Sequence, residues 1–409
     1  MTVTTGLSGN ELFCLAQKGF LPGNIVVGNS VHSLGIVGNI GSSLKAMLGG
    51  ELTQITRLIE DGRETALERM QQEAQTQGAS GITGVTSQLI FHGSNVEFLS
   101  IGSVIKSNNA SLKPFSTSAD GQELYAQLDA GYQPIAFAFG NVAYAMGVGR
   151  GFIGGIKTLV RGEIKEYSNI FNVTRHLALK RIKAHAQTYH ANAVLGIQTT
   201  VLPFGGVNEM LMIGTASKAP FLINTVDNVI TSDMTNIEMW NMASLGYMPL
   251  QLLLGTSVYS LGVVGGITSA IKSFVRGEIT ELSRLIYDAR ENSLGIINDE
   301  AKALGADDVV GVKTYVYQLG NGLIEFLAIG TAVKKLSSVK PQSDQLPPQA
   351  IVVDKDTYYS LVNDYGSSVN MNAGSKPINR NVSSFLSLII FIIFFLLFGG
   401  FHLLKAVFE

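Results

Sequence analysis

Two sets of charged residues recur at matched places in this 409-residue sequence, and any chemistry should be sought there first. Arg63, Arg175 and Arg290 recur in one kind of helix-periodic segment, and Glu97, Glu209 and Glu325 in one kind of strand-like run. A carboxylate among apolar strand residues usually points to solvent, a subunit contact or a basic partner. Their joint recurrence makes these six the candidate subunit-contact residues, joined by arginine–glutamate ion pairs across a subunit boundary. A third set, Glu51, Glu163 and Glu278, follows a glycine where each long helix is expected to begin. Negative charge there offsets the helix dipole, so this set is read as helix capping.

Other chemistries find less support. His176, His185 and His190 correspond to Glu64, Glu73 and Gly78 upstream, and to Glu291, Glu300 and Gly305 downstream. A shared metal site needs ligands at shared positions, so these histidines are read as solvated helix-face residues. Cys14 is the single cysteine, which rules out a disulfide or cysteine-based zinc site within one chain. The run Gly147-Val148-Gly149-Arg150-Gly151 lacks the Gly-Lys-Ser/Thr ending of a phosphate loop and reads as close packing or a hinge. Serine, histidine and aspartate form no recurring nucleophile pattern. The expected catalytic, cofactor-binding and metal-binding residues are therefore none, and the chain is read as no enzyme.

The elements that carry these residues come three times, from Gly19 to Lys106, Gly131 to Lys218 and Gly246 to Lys335. Each copy is preceded by a short amphipathic segment: Ser8–Lys18, Ser118–Asp129 and Thr235–Leu245. The first of these opens on a capping box with Ser8 and Glu11. Each ends at glycine, an aromatic residue, one variable residue and proline, with Pro22, Pro134 and Pro249 closing the motif. Glycine accepts a left-handed helix end and proline stops continuation. Strand-like runs follow at Asn24–Val31, Ile135–Ala143 and Leu250–Tyr259, then a glycine-rich stretch. Next comes a long helix with one apolar stripe, such as Ile55, Ile59, Ala66, Leu67, Met70 and Ala74, and finally two strands. In the third copy those strands join at the turn-forming Gly320-Asn321-Gly322.

The expected fold class is therefore α+β: three tandem two-layer β-α-β-β domains at residues 8–106, 118–218 and 235–335. Ser107–Thr117 and Pro220–Ser232 read as linkers, and Leu336–Ser384 as a longer tether with a candidate ordered patch at Ala350–Val362.

The segments Ala303-Leu304-Gly305-Ala306-Asp307-Asp308-Val309-Val310-Gly311 and Ala328-Ile329-Gly330-Thr331-Ala332-Val333 resemble the YbjQ-like family, which is labelled heavy-metal-binding. Gly277-Glu278 and Leu261-Gly262 fit the same pattern, and copy two departs from it at His190-Ala191-Asn192. The resemblance implies a dodecin-like fold that assembles into pentameric rings.

The remaining composition sets limits on partners. With 29 basic against 31 acidic residues, and 15% charged residues overall, no dense basic field for nucleic acid exists. The run Phe385–Leu404 is without charge. At about 1.5 Å per residue, roughly twenty residues span about 30 Å, a bilayer core. One C-terminal transmembrane helix is expected there, with Phe385, Ile389, Ile393, Leu397 and Leu404 as anchor positions. The start of the chain lacks a signal peptide pattern, and Lys376 and Arg380 flank the span, so a tail anchor with the repeats in the cytoplasm is expected.

Taken together, these features predict a self-assembling scaffold anchored in the membrane, whose partners are itself and the bilayer. It is expected to form stacked rings or a cage, with pentameric symmetry favoured by the resemblance. The copies of one chain could occupy successive positions in a single ring, or each could enter a different one of three stacked rings, five chains then supplying three five-membered layers. The alternative is a module that binds or stores metal or a small ligand at the membrane. No cofactor is expected.

Overall fold

The computed structural model describes residues 2–33, 50–93, 95–145, 162–204, 207–220, 229–260, 280–320, 323–336 and 339–349. The expected transmembrane run 385–404, Glu278, the Gly147–Gly151 stretch, the 321–322 turn and the patch at 350–362 lie outside them. Among the described residues no helix is long and apolar enough to cross a membrane.

The three short helices are α1 (Gly9–Gln17), α3 (Gly121–Asp129) and α5 (Asn236–Ser244). Ser8 and Thr235 each form the reciprocal capping box with the glutamate three residues on, while Asp120 caps α3 with its carboxylate. Gly19, Gly131 and Gly246 follow with φ of 78°, 86° and 78°, the left-handed turn that favours glycine.

Each copy then contributes a first strand: β1 (Phe20–Ser33), β6 (Gln133–Ala145) and β11 (Tyr247–Ser260). These begin earlier than the proline suggested. Pro22, Pro134 and Pro249 sit inside the strands, each at a register shift against the neighbouring strand. A bulge on an outer strand tolerates the missing N–H, which explains how a helix-stopping residue is absorbed into the sheet.

The long helices α2 (Thr53–Thr76), α4 (Lys165–Thr188) and α6 (Thr280–Ala303) lead to the hairpins β3 (Gly81–His92)–β4 (Asn95–Ser107), β8 (Ala193–Phe204)–β9 (Val207–Lys218) and β12 (Asp308–Gly320)–β13 (Leu323–Lys335). The last strand of each hairpin lies between its partner and the first strand, all antiparallel. The expected β-α-β-β unit is therefore present three times.

Four two-residue strands tie these sheets together. β5 (Phe115–Ser116) and β10 (Ile230–Thr231) add in parallel to β3 and β8, so the ends of both expected linkers belong to the sheet of the preceding copy. β2 (Gly50–Glu51) and β7 (Gly162–Glu163) pair with β6 and β11 of the following copy. The helix-capping reading of Glu51 is thereby corrected. Its carboxylate accepts from Arg181 Nη2 at 2.6 Å, a residue of the next copy, and α2 starts beyond it with Leu52 as a cap that offers no side-chain hydrogen bond. Glu163 does reach its own helix, accepting from the Ser168 hydroxyl at 3.0 Å.

Each long helix crosses its own first strand at a glycine. A Cβ on Gly28 would stand 2.1 Å from the Ala66 carbonyl oxygen, on Gly140 2.4 Å from the Ile182 nitrogen, and on Gly255 2.1 Å from the Ser293 carbonyl oxygen. Helix backbone cannot rotate aside as a side chain can, so the layers must separate. Gly140→Ala should lower stability by about 1–3 kcal/mol, the usual range for overpacking, and Gly140→Val by more. Thermal unfolding of the full chain followed by circular dichroism measures both, and an unchanged midpoint for Gly140→Val would refute the close approach.

Apolar packing runs through the copy boundaries. One cluster holds Phe171, Ala178 and Ile182 of α4 together with Leu252, Leu254 and Val258 of β11 and Leu327 of β13. Residues 339–349, read as the start of a tether, are instead packed: Val339 and Leu346 join Tyr132 and Trp240, and Asn10 donates to the Pro348 carbonyl at 2.9 Å.

Candidate assembly interface

Side chains alternate across a strand, and that parity decides where the recurring glutamates go. In β9, Met210 and Met212 cluster with Ala178, Leu179 and Ile182 of α4, the helix of the same copy. Leu211 clusters with Leu67 and Met70 of α2, the helix of the preceding copy. Glu209 shares the parity of Leu211. Likewise Phe326 and Ala328 of β13 pack with residues of α6, whereas Leu327 and Ile329 pack with those of α4. Glu325 shares their parity. The sheets of copies two and three are thus covered on both faces, once by their own helix and once by the previous one.

The arginines of copies one and two therefore each meet a glutamate one copy ahead. Arg63 Nε and Nη2 donate to Glu209 Oε1 and Oε2 at 3.1 and 2.7 Å, and Arg63 Nη1 donates to Ser87 Oγ at 2.8 Å. Arg175 Nη2 donates to both Glu325 oxygens at 2.8 and 2.9 Å, and its Nε to Oε1 at 3.2 Å. All four side chains are buried. The guanidinium of Arg63 stands 5.8 Å from the Phe98 ring centroid, and that of Arg175 5.2 Å from Tyr144 and 5.7 Å from Phe171. Burial disfavours the charged form of Arg175, but Glu325 and Tyr144 outweigh it and hold the group more firmly protonated than in water. Burial raises the Glu325 carboxyl, and Arg175 opposes that rise.

The two remaining members stand apart. Glu97 accepts from Asn29 Nδ2 at 2.9 Å and contacts His92 Nε2 at 2.7 Å. The Asn29 hydrogen bond, followed by that of His92, holds its carboxyl below the usual range. Arg290 is half exposed, lies 3.7 Å from the adjacent Glu291, and leans over the Tyr287 ring at 5.4 Å. The structure brings together Arg63 with Glu209 and Arg175 with Glu325, but not Arg290 with Glu97.

A second contact recurs beside each short helix. Thr215 Oγ1 lies 2.8 Å from Thr117 Oγ1 and 3.0 Å from Ser118 Oγ. Thr331 Oγ1, at the matching place in copy three, lies 3.3 Å from Ser232 Oγ and donates to Asp233 at 2.6 Å. In copy one the matching Ser103 accepts from the Gly6 N–H at 3.2 Å, so the start of the chain stands where a preceding linker would.

Asp129 was not singled out from the sequence. It is fully buried, accepts from Lys18 Nζ at 2.7 Å, Trp240 Nε1 at 2.8 Å and Ser343 Oγ at 2.7 Å, and receives the Ser343 N–H at 3.0 Å. One carboxylate thereby ties α1, α3, α5 and the segment after copy three. Burial alone would raise its pKa, but these hydrogen bonds outweigh that and lower it. Repeat reasoning passes over it because the matching positions, Gln17 and Ser244, carry no charge.

The histidines are not simply solvated. His185 Nδ1 accepts from the Phe139 N–H at 3.1 Å, as the matching Glu73 accepts from the Val27 N–H at 2.8 Å. Both satisfy the same strand donor, which explains how histidine and glutamate exchange there. His176 Nε2 contacts Glu300 of α6 at 2.7 Å, and that hydrogen bond raises its pKa. His190 occupies a left-handed position with φ of 59°. Among the described residues no three histidine, cysteine, aspartate or glutamate side chains converge on a site for a metal ion. The described residues therefore show no lining that fits a bound heavy metal.

Comparison with known proteins gives three matches to one family, described as "Putative heavy-metal-binding" and denoted YbjQ, at residues 22–103, 132–219 and 233–335. The chain is 30% identical over 227 residues to an encapsulin nanocompartment protein of Mycobacterium tuberculosis, a match covering 52% of this chain and 84% of the relative. It is also 41% identical over 83 residues to a UPF0145 protein of Methanoregula boonei, covering 20% of this chain and 69% of that protein. A UPF0145 protein of Clostridium novyi is 36% identical over 87 residues, covering 21% of this chain and 84% of the relative.

Proposed function

As the chain belongs to the YbjQ family through three tandem domains, we propose that it is a membrane-anchored scaffold that self-assembles into ring- or cage-like homo-oligomers through those domains. The observation carrying this reading is the junction itself, formed twice within one chain with a buried arginine–glutamate pair and a continuous apolar core. Surfaces of that kind resemble subunit interfaces cut from one design. A relative named for an encapsulin nanocompartment supports assembly as the outcome.

The six recurring arginines and glutamates are the proposed contact residues. Copies of one chain lie side by side, which favours successive positions in a single ring over one copy per layer. Pentameric symmetry would then count whole chains around the axis. Residues 385–404 are proposed to anchor the assembly in a bilayer, supported by their uncharged length. Lys376 and Arg380 favour repeats on the cytoplasmic side.

The full chain extracted in mild detergent should give a high-mass species by native mass spectrometry and ring- or cage-shaped particles by electron microscopy. A monodisperse monomer would overturn the reading. A chain ending before residue 385 should leave the membrane fraction, and its retention there would overturn the anchor.

A further inference from the structure

The two junctions inside the chain leave half a junction bare at each end. The outer face of the first strand is buried in copies two and three beneath the preceding helix, but not in copy one. Val31 is 57% exposed, whereas its counterparts Ala143 and Val258 are fully buried. Ile25 and Val27 on the same face are exposed, and their counterparts Phe137, Leu252, Phe139 and Leu254 are buried. Glu97 stands on this side of β4, partnered by Asn29 and His92 in place of an arginine.

Copy three leaves the complementary half open. Val312 is 43% exposed, while its counterparts Val85 and Ile197 are 1% and 3%. Val316 and Ile286 are also exposed, although Leu89, Ile59 and Phe171 at the matching places are buried. Arg290 projects from the same helix, where Arg63 and Arg175 reach a glutamate in the next copy. The edge of β12 at Asp308 and Val309 has no parallel strand among the described residues, whereas β3 and β8 receive Phe115–Ser116 and Ile230–Thr231.

We infer that chains of this protein join head to tail, with α6 and β12 of one chain covering the bare face of β1 and β4 in the next, so that Arg290 of one pairs with Glu97 of the other. This rests on the self-assembly reading above and names the surfaces that accomplish it. The occupant is a second copy, because each open half is the counterpart of a partner already seated twice inside the chain. Charge agrees, a half-exposed arginine at one end facing a carboxylate at the other. So does backbone pairing. Residues Val3 and Thr4 correspond to Phe115–Ser116, and Val3 is exposed where Phe115 is buried. They would lie along Asp308 and Val309 of the neighbouring chain as β5 lies along β3.

A contact between unlike surfaces closes into a ring when its rotation permits, and otherwise grows a filament. Here each new junction repeats the step already taken between copies. A closed ring would then hold a multiple of three domains.

The test is charge reversal in the full chain, in detergent, read by native mass spectrometry. E97R and R290E should each lose the high-mass species while keeping the wild-type circular dichroism spectrum, since Arg290 is half exposed and Glu97 partly exposed in one chain. The double variant E97R/R290E restores opposite charges in reversed order and should regain the wild-type mass. V312D should lose assembly without touching either charge. If wild type assembles and both single reversals and V312D assemble equally, or if the double variant stays dissociated, the head-to-tail contact is refuted while self-assembly stands. If wild type is itself monomeric, the proposed function fails first.

Discussion

Arg175→Ala should lower the free energy of unfolding of the full chain by about 3–5 kcal/mol, because it strands the Glu325 carboxylate in an apolar setting. The pair is buried on both sides, so the loss is dominated by the uncompensated charge rather than by the attraction itself. Glu325→Ala should cost a similar amount by stranding the guanidinium. Replacing both, as Arg175→Met with Glu325→Leu, should return most of the loss, since a well-packed apolar pair often matches a buried ion pair. Arg290→Ala, made in the V312D background where the junction between chains is absent, serves as the control. Its side chain is 48% exposed, and surface changes of this kind usually stay within about 0.5 kcal/mol. Urea unfolding of the detergent-solubilised chain measures all four. Because the apolar clusters cross the copy boundaries, the described domains should lose structure in one transition. Equal effects at Arg175 and Arg290 would refute the distinction between filled and open junctions.

Asp129→Ala should be comparably damaging, by about 3 kcal/mol, since it leaves the buried Trp240 N–H without an acceptor and Lys18 without its counter-charge. Asp129→Asn keeps the shape and one acceptor oxygen, so it should cost less. The pH dependence follows from the lowered pKa. The folded-state carboxyl titrates below its unfolded value of about 3.8, so its contribution is complete above that value and is lost as pH falls through the folded one. Wild type should therefore lose more stability than Asp129→Asn as pH falls below about 4. Denaturation midpoints at pH 3 and pH 6 provide the comparison, and parallel losses in the two proteins would exclude the carboxylate from that role.

Both predictions concern residues that fasten one copy to another. The structure spends its buried charges at these boundaries. Ser, Thr and Asn side chains add to them, with Asn141 Nδ2 donating to the Thr56 carbonyl at 3.2 Å and Asn172 Nδ2 donating to that of Thr256 at 2.7 Å. A boundary held by directional polar contacts fixes both angle and register between copies, whereas apolar packing alone leaves them looser.

Much of this architecture was legible in the sequence because it rests on local rules. Glycine at 19, 131 and 246 marks the left-handed turn ending a short helix, since φ becomes positive at each. The stripe through Ile55, Ile59, Ala66 and Met70 has the period of a helix with one buried face, and all four are buried. Matched recurrence also picked out the arginines and glutamates before any partner was visible. Tertiary structure alone decided which arginine meets which glutamate. Strand parity turns Glu209 and Glu325 away from their own helix, and a helix from the copy before must lie over that face. Asp129 was hidden for a related reason: its partners Lys18, Trp240 and Ser343 come from three distant segments, and no local pattern connects them. The sequence by itself thus determined the repeated unit. Packing between units determined that Glu97 and Arg290, alike in sequence to their counterparts, are left at the two open ends.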